Sequence, residues 1–158
     1  MQDTFTVVLL TFFGALSLLS CSSEKPSFHR FVSLEGAEWK RSDTLCFSID
    51  SLAETNAYEV SLYLRTTAAQ RYPFRDITLV AEQRWSNFPP LRDTIRYQLV
   101  SENGTYFGKG IATYTHTIAL PPTTLQQGSA GEIRLYHLMR RASLPGIADV
   151  GLMLKKCP

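Results

Sequence analysis

From Tyr58 to Thr66 apolar and polar side chains alternate without a break. Tyr58, Val60, Leu62 and Leu64 fall on one side of an extended chain, and Glu59, Ser61, Tyr63 and Arg65 on the other. A period of two sustained over that length defines a β-strand with one face in a core, and the same period returns along the chain while helical periodicity is nearly absent. Further strands are expected at Glu38 to Arg41, Leu45 to Ile49, Asp76 to Arg84, Thr94 to Leu99, Gly108 to Leu120, Gly131 to Leu138 and Ala148 to Leu154. Turn-forming residues separate them: Asp50-Ser51, Arg71-Tyr72-Pro73, Phe88-Pro89-Pro90, Asn103-Gly104, Pro121-Pro122, Gln127-Gly128 and Pro145-Gly146. Asn103-Gly104 is expected to form a type I′ hairpin turn. Arg84 to Arg92, with two prolines, reads as the longest irregular loop, and Leu120 to Gly131 as a connection with room for one helical turn. The class this implies is all-β: an antiparallel β-sandwich of about eight strands, jelly-roll-like.

Ahead of this pattern lies an uninterrupted apolar run, Phe5 to Leu19, followed by Ser20 and Cys21. The run falls short of the roughly 20 apolar residues of a membrane span and meets polar residues at once. Leu18-Leu19-Ser20-Cys21 resembles the lipobox of bacterial lipoproteins, in which the leader is cut off before the cysteine and the cysteine receives the lipid. The expected organisation is a signal peptide at 1–20, a lipidated Cys21 and tether over 21–34, and the β-sandwich over 35–158. Several acyl chains on Cys21, at about 0.8 kcal/mol per buried methylene, make such attachment effectively permanent. Glu24 is the one acid close behind the cysteine, a weak signal for surface display, so the expected location is the periplasmic face of the outer membrane.

The leader takes Asp3 from the 14 acidic residues, leaving 13 against 16 basic ones. That mild, interspersed excess is no footprint for nucleic acid. With Cys21 lipidated, Cys46 and Cys157 remain. A bridge between them would close a loop of about 110 residues and stabilise by roughly 4 to 5 kcal/mol, while a buried free thiol in the apolar Cys46 strand is the competing reading. No cysteine or histidine spacing suits a metal, and no cofactor motif is present. His29, His116 and His137 lack catalytic context, His116 reading as solvent-facing in a threonine-rich strand. No nucleophile elbow surrounds a serine, and the expectation is a protein that is not an enzyme.

Taken together, the leader with Cys21, Trp39, Leu64-Arg65, Tyr72-Pro73-Phe74-Arg75-Asp76-Ile77, Asp93, Gly104, Gly108-Lys109-Gly110, Met139-Arg140 and Leu144-Pro145-Gly146-Ile147-Ala148-Asp149-Val150-Gly151 resemble the GldH family of gliding-motility lipoproteins of Bacteroidota. Asp76 stands where that pattern has Asn. The resemblance implies an outer-membrane-associated lipoprotein needed for gliding, linked to the secretion apparatus that gliding shares, with other envelope proteins as partners and no known catalytic residues.

Two functional readings remain open on the residues. In one, the sandwich is a non-enzymatic assembly part whose surface or strand edge meets another envelope protein; Arg65, Arg140 and Asp149 are its candidate residues, Asp149 pairing with the Arg140-Arg141 region, and Thr113, Thr115 and Thr117 mark a candidate edge. In the other, it binds carbohydrate through Trp85, Phe88, Tyr106 and Phe107, which requires exposed, coplanar rings.

Overall fold

The computed structural model describes residues 25–157, so the leader and Cys21 lie outside the described residues. Eleven strands run in chain order: β1 (Phe28–Ser33), β2 (Glu38–Lys40), β3 (Leu45–Ile49), β4 (Asn56–Thr67), β5 (Asp76–Trp85), β6 (Phe88–Gln98), β7 (Thr113–Ala119), β8 (Thr123–Leu125), β9 (Gly131–His137), β10 (Ser143–Pro145) and β11 (Ile147–Lys156). A single 3-10 turn at Glu35–Ala37 is the helical element among them.

The long strands form two antiparallel sheets, ordered β1-β11-β4-β7, with β8 also on β4, and β3-β9-β5-β6; β2 and β10 make a separate two-stranded ribbon. Pairing is nested, β5 with β6, β4 with β7, β3 with β9 and β1 with β11. This is the wrapping of a jelly roll, and the expected fold class holds. The alternation read from β4 places Tyr58, Val60, Leu62 and Leu64 in the core, opposite Phe47, Leu79, Ala81, Ile133 and Leu135 of the second sheet. Ring contacts bridge both open sides: Phe28 to Phe47 at 6.5 Å and Tyr97 to His116 at 5.9 Å between centroids.

Several local expectations are corrected. Residues 28–33 of the proposed tether are β1, an edge strand whose burial does not alternate and which is held in register by β11, Phe28 opposite Leu154 and Ser33 opposite Asp149. The loop expected at Arg84 to Arg92 is a tight hairpin, with Trp85 opposite Phe88. Pro89 and Pro90 are tolerated because they fall in the register shift between the Gln83–Leu91 and Trp85–Phe88 pairs, on the outer strand of the sheet, where no regular ladder bond needs their missing N–H donors. Leu120 to Gly131 holds β8 instead of a helical turn, its β-branched Thr123 and Thr124 suiting extended backbone and Leu125 entering the core. At Asn103-Gly104 only the glycine has positive φ (+84°), so the turn is not type I′; the Gly104 N–H bonds to Ser101 O at 3.1 Å and the Ser101 N–H to Thr105 O at 2.8 Å.

The jelly-roll wrapping gives the molecule two poles. At one, β1 begins, β11 ends and β5 turns into β6; at the other lie the segments 68–75, 99–112 and 138–146. The chain enters from its N-terminal segment at the first pole, and the second is the distal one.

Candidate functional site

Register brings Arg65 and Asp149 together. They are cross-strand partners on β4 and β11, and Ser33 of β1 faces Asp149 from its other side. The Ser33 hydroxyl donates to Asp149 Oδ1 at 2.6 Å, while Arg65 Nη1 stands 4.0 Å from Asp149 Oδ2. Arg65 also lies over Phe31, Cζ to ring centroid 3.9 Å, and Phe31 is flanked by His29 at 5.3 Å and Tyr63 at 5.7 Å. Phe31 packs across Gly151, where a Cβ would come within 2.5 Å of the ring. The cluster lies on the outer face of the sheet and ties the edge strand β1 to β11 and β4. It contains no activated nucleophile.

Arg140 is not part of it. The Arg41 guanidinium donates to the Arg140 carbonyl, which ties the segment after β9 to the end of β2, so the expected Asp149 pairing with Arg140-Arg141 is corrected to Arg65. Closeness in sequence misled there: the Leu144-Pro145-Gly146 turn intervenes. Gly146 has φ +86°, and a Cβ would lie 2.5 Å from Gln70 O and 2.6 Å from Tyr72 N, so this turn packs directly on the entrance to Tyr72-Pro73-Phe74. Leu144 pairs with Trp39 across β10 and β2. Trp39, Tyr72 to Phe74, Gly104 and Leu144 to Gly146, far apart in sequence, thus converge at the distal pole.

A groove runs over that pole. Its largest part, about 730 Å³, is lined by Pro73, Phe74, Arg75, Asp76, Arg96 and Gln98. Next to it is a hollow of about 260 Å³ that adds Arg71, Glu102 and Tyr106, and a third of about 240 Å³ that adds Ala68 and Tyr114. Arg96 Nη2 meets Asp76 Oδ2 at 2.5 Å and Arg75 Nη2 meets Glu102 Oε1 at 3.0 Å. Beneath them Tyr72 is buried with its hydroxyl donating to Asp76 O at 2.9 Å, and burial pushes its phenol well above the usual range. Arg96 and Tyr114 of this groove escaped the sequence reading; Arg71 lay in a turn signal and Arg75 in a motif, but neither pattern shows that the side chain faces a hollow.

The four candidate sugar-stacking rings are not brought together. Trp85 is 5% exposed, with its indole N–H donating to Gln83 Oε1 at 3.3 Å, and Phe88 packs on the core beside it. Tyr106, half-buried at the distal pole, is stacked on Tyr114 at 4.8 Å with planes 5° apart, and only Phe107 is exposed, at 57%. Cys46 and Cys157 are free rather than bridged: Cys46 points outward from β3, on the solvent side of its sheet, and not into the core. His116 is buried, not solvent-facing; burial lowers its pKa to about 4, and Thr66 Oγ1 is 3.4 Å from its Nε2. β7 ends its sheet, as expected of the threonine strand, but Lys109 bridges to Thr115 along its edge. Among the described residues no group of three or more His, Cys, Asp or Glu side chains is placed to hold a metal ion.

The fold defines an all-β domain with the strand order of a jelly roll. The chain belongs to the GldH lipoprotein family, whose model matches residues 27–154. Similar curated proteins are a gliding motility lipoprotein GldH homolog of Christiangramia forsetii, 22% identical over 99% of this chain and 98% of that one, and the gliding motility lipoprotein GldH of Flavobacterium johnsoniae, 25% identical over 90% and 92%. Among solved structures, a family GH115 4-O-methyl-α-glucuronidase is similar at 18% identity and a TM-score of 0.46, covering 87% of this chain and 18% of that one. At that level the likeness carries no argument about activity.

Proposed function

We propose that this protein is a non-enzymatic, lipid-anchored component of the gliding and associated secretion machinery, held through Cys21 on the periplasmic face of the outer membrane. Membership of the lipoprotein family over nearly the whole domain supports this reading. One observation carries it further: several of the segments that resemble the family, Trp39, Tyr72 to Phe74, Gly104 and Leu144 to Gly146, lie at the pole away from the N-terminal end of β1. A chain anchored at Cys21 presents that pole to other envelope proteins and not to the lipid. The carbohydrate-binding alternative loses its basis with Trp85 buried and the remaining rings divided between the poles.

The test is made in the native organism. Deletion of the gene is expected to abolish colony spreading. Cys21→Ala is expected to lose radiolabelled palmitate, leave the outer-membrane fraction and fail to restore spreading. Normal spreading of the deletion strain, or full complementation by unlabelled Cys21→Ala protein, overturns the reading.

A further inference from the structure

The three hollows at the distal pole are one groove. The first and second share Pro73, Phe74 and Arg75, and the second and third share Arg71, Gly104 and Tyr106. A ligand that fills them is therefore extended rather than compact. The walls carry three guanidinium groups, Arg71, Arg75 and Arg96, against two carboxylates, Asp76 and Glu102. The Arg75 and Glu102 side chains are 56% and 87% exposed, so their pairing is weakly held and exchangeable. Arg71 makes no hydrogen bond or ion pair with any described residue, although it lies where the second and third hollows meet.

From this charge complementarity we infer that the groove is a docking site for an extended acidic peptide segment of a partner protein. Two further features select a peptide over an acidic polysaccharide. The outer edge of β6 is unpaired and runs into the groove at Arg96 and Gln98, so main-chain groups are available to an added strand. One face of Tyr106 and one face of Tyr114 are covered by their mutual stacking, which leaves less ring area for a sugar to stack on. Phe107 and Ile111, 57% and 92% exposed on the segment leading out of the groove, offer seats for apolar side chains interspersed with the acids. The orientation of the groove away from the membrane rests on the lipid anchor proposed above; the binding itself does not.

The experiment uses the detergent-solubilised full mature chain and a fluorescein-labelled dodecapeptide of repeated Glu-Val-Asp-Thr, followed by fluorescence anisotropy. Saturable binding that weakens with salt is expected, with at least ~10-fold loss on Arg71→Glu combined with Arg75→Glu and no comparable loss on Lys155→Glu at the opposite pole. Arg71→Gln combined with Arg96→Gln, which conserves size, is expected to lose affinity in the same direction, and unchanged melting of both double variants excludes misfolding as the cause. Failure of the peptide to bind, indifference to the double substitutions, or tighter binding of polygalacturonate overturns the proposal. In cells, a deletion strain restored to full spreading by the charge-reversed protein overturns the groove while leaving the gliding role intact. A deletion strain that spreads normally sinks the gliding role and leaves the groove to the anisotropy result.

Discussion

At the scale of single residues, His116 is the group that folding alters most clearly. Its ring lies between Thr66, Tyr97 and the Gly108 backbone, where a Cβ on residue 108 would come within 2.9 Å of it, and its Nδ1 has no hydrogen-bond partner. Burial lowers its pKa to about 4 from an ordinary 6.5. Between these values the unfolded chain takes up a proton that the folded one refuses, so stability is complete above the unfolded pKa and falls as pH drops from 6.5 to 4. The loss is about 3 kcal/mol, and His137, also lowered by burial, acts in the same direction. Denaturant titrations across that range are expected to show this decline, and His116→Gln to flatten part of it. A profile identical in the variant would remove His116 as its source. The sequence showed a histidine among threonines but not which face of β7 it occupies, because a strand at a sheet edge can bury either one.

Among the elements, β1 is the least legible and the most consequential. Its burial does not alternate, so period-two reading has nothing to find in Phe28 to Ser33. What makes it a strand is a neighbour more than a hundred residues away: the β11 ladder, Phe31 packed over Gly151, and Ser33 bonded to Asp149. Asp149 and Arg65 are partly exposed and 4.0 Å apart, so their ion pair contributes at most about 1 kcal/mol, whereas the Phe31 ring contributes more through buried apolar area. Phe31→Ala is accordingly expected to cost about 1 to 2 kcal/mol and Asp149→Asn less than 1. In hydrogen exchange both substitutions should speed the amides of β1 while leaving β5 protected. Equal acceleration in both strands would mean that the cluster supports the whole sandwich instead of its N-terminal strand. The central strands were legible for the opposite reason: β3 spans Leu45–Ile49 as expected, since its inner face is a strict alternation of Leu45, Phe47 and Ile49.

For the whole molecule, the nested strand order sets the start of β1 and the turns around Tyr72, Gly104 and Gly146 at opposite poles. The stretch from Cys21 to Phe28 reaches at most about 24 Å when extended, so an anchor at Cys21 keeps the first pole close to the bilayer. The same architecture separates the two remaining cysteines, one facing outward from β3 and the other following β11 in the other sheet. Native protein is therefore expected to react with a maleimide at Cys46, rapidly and without reductant, and at the half-buried Cys157 more slowly. A mass showing no alkylation until reduction would restore the disulfide.

Sequence alone determined the all-β class, the core face of the main strands and the family pattern, because side-chain alternation and turn chemistry act between near neighbours. Only the tertiary structure decided which residue stands opposite Asp149, which aromatics are covered, and that Arg71, Arg75 and Arg96 line one groove. Those are matters of register and wrapping. They depend on pairings between distant strands, which no local pattern encodes.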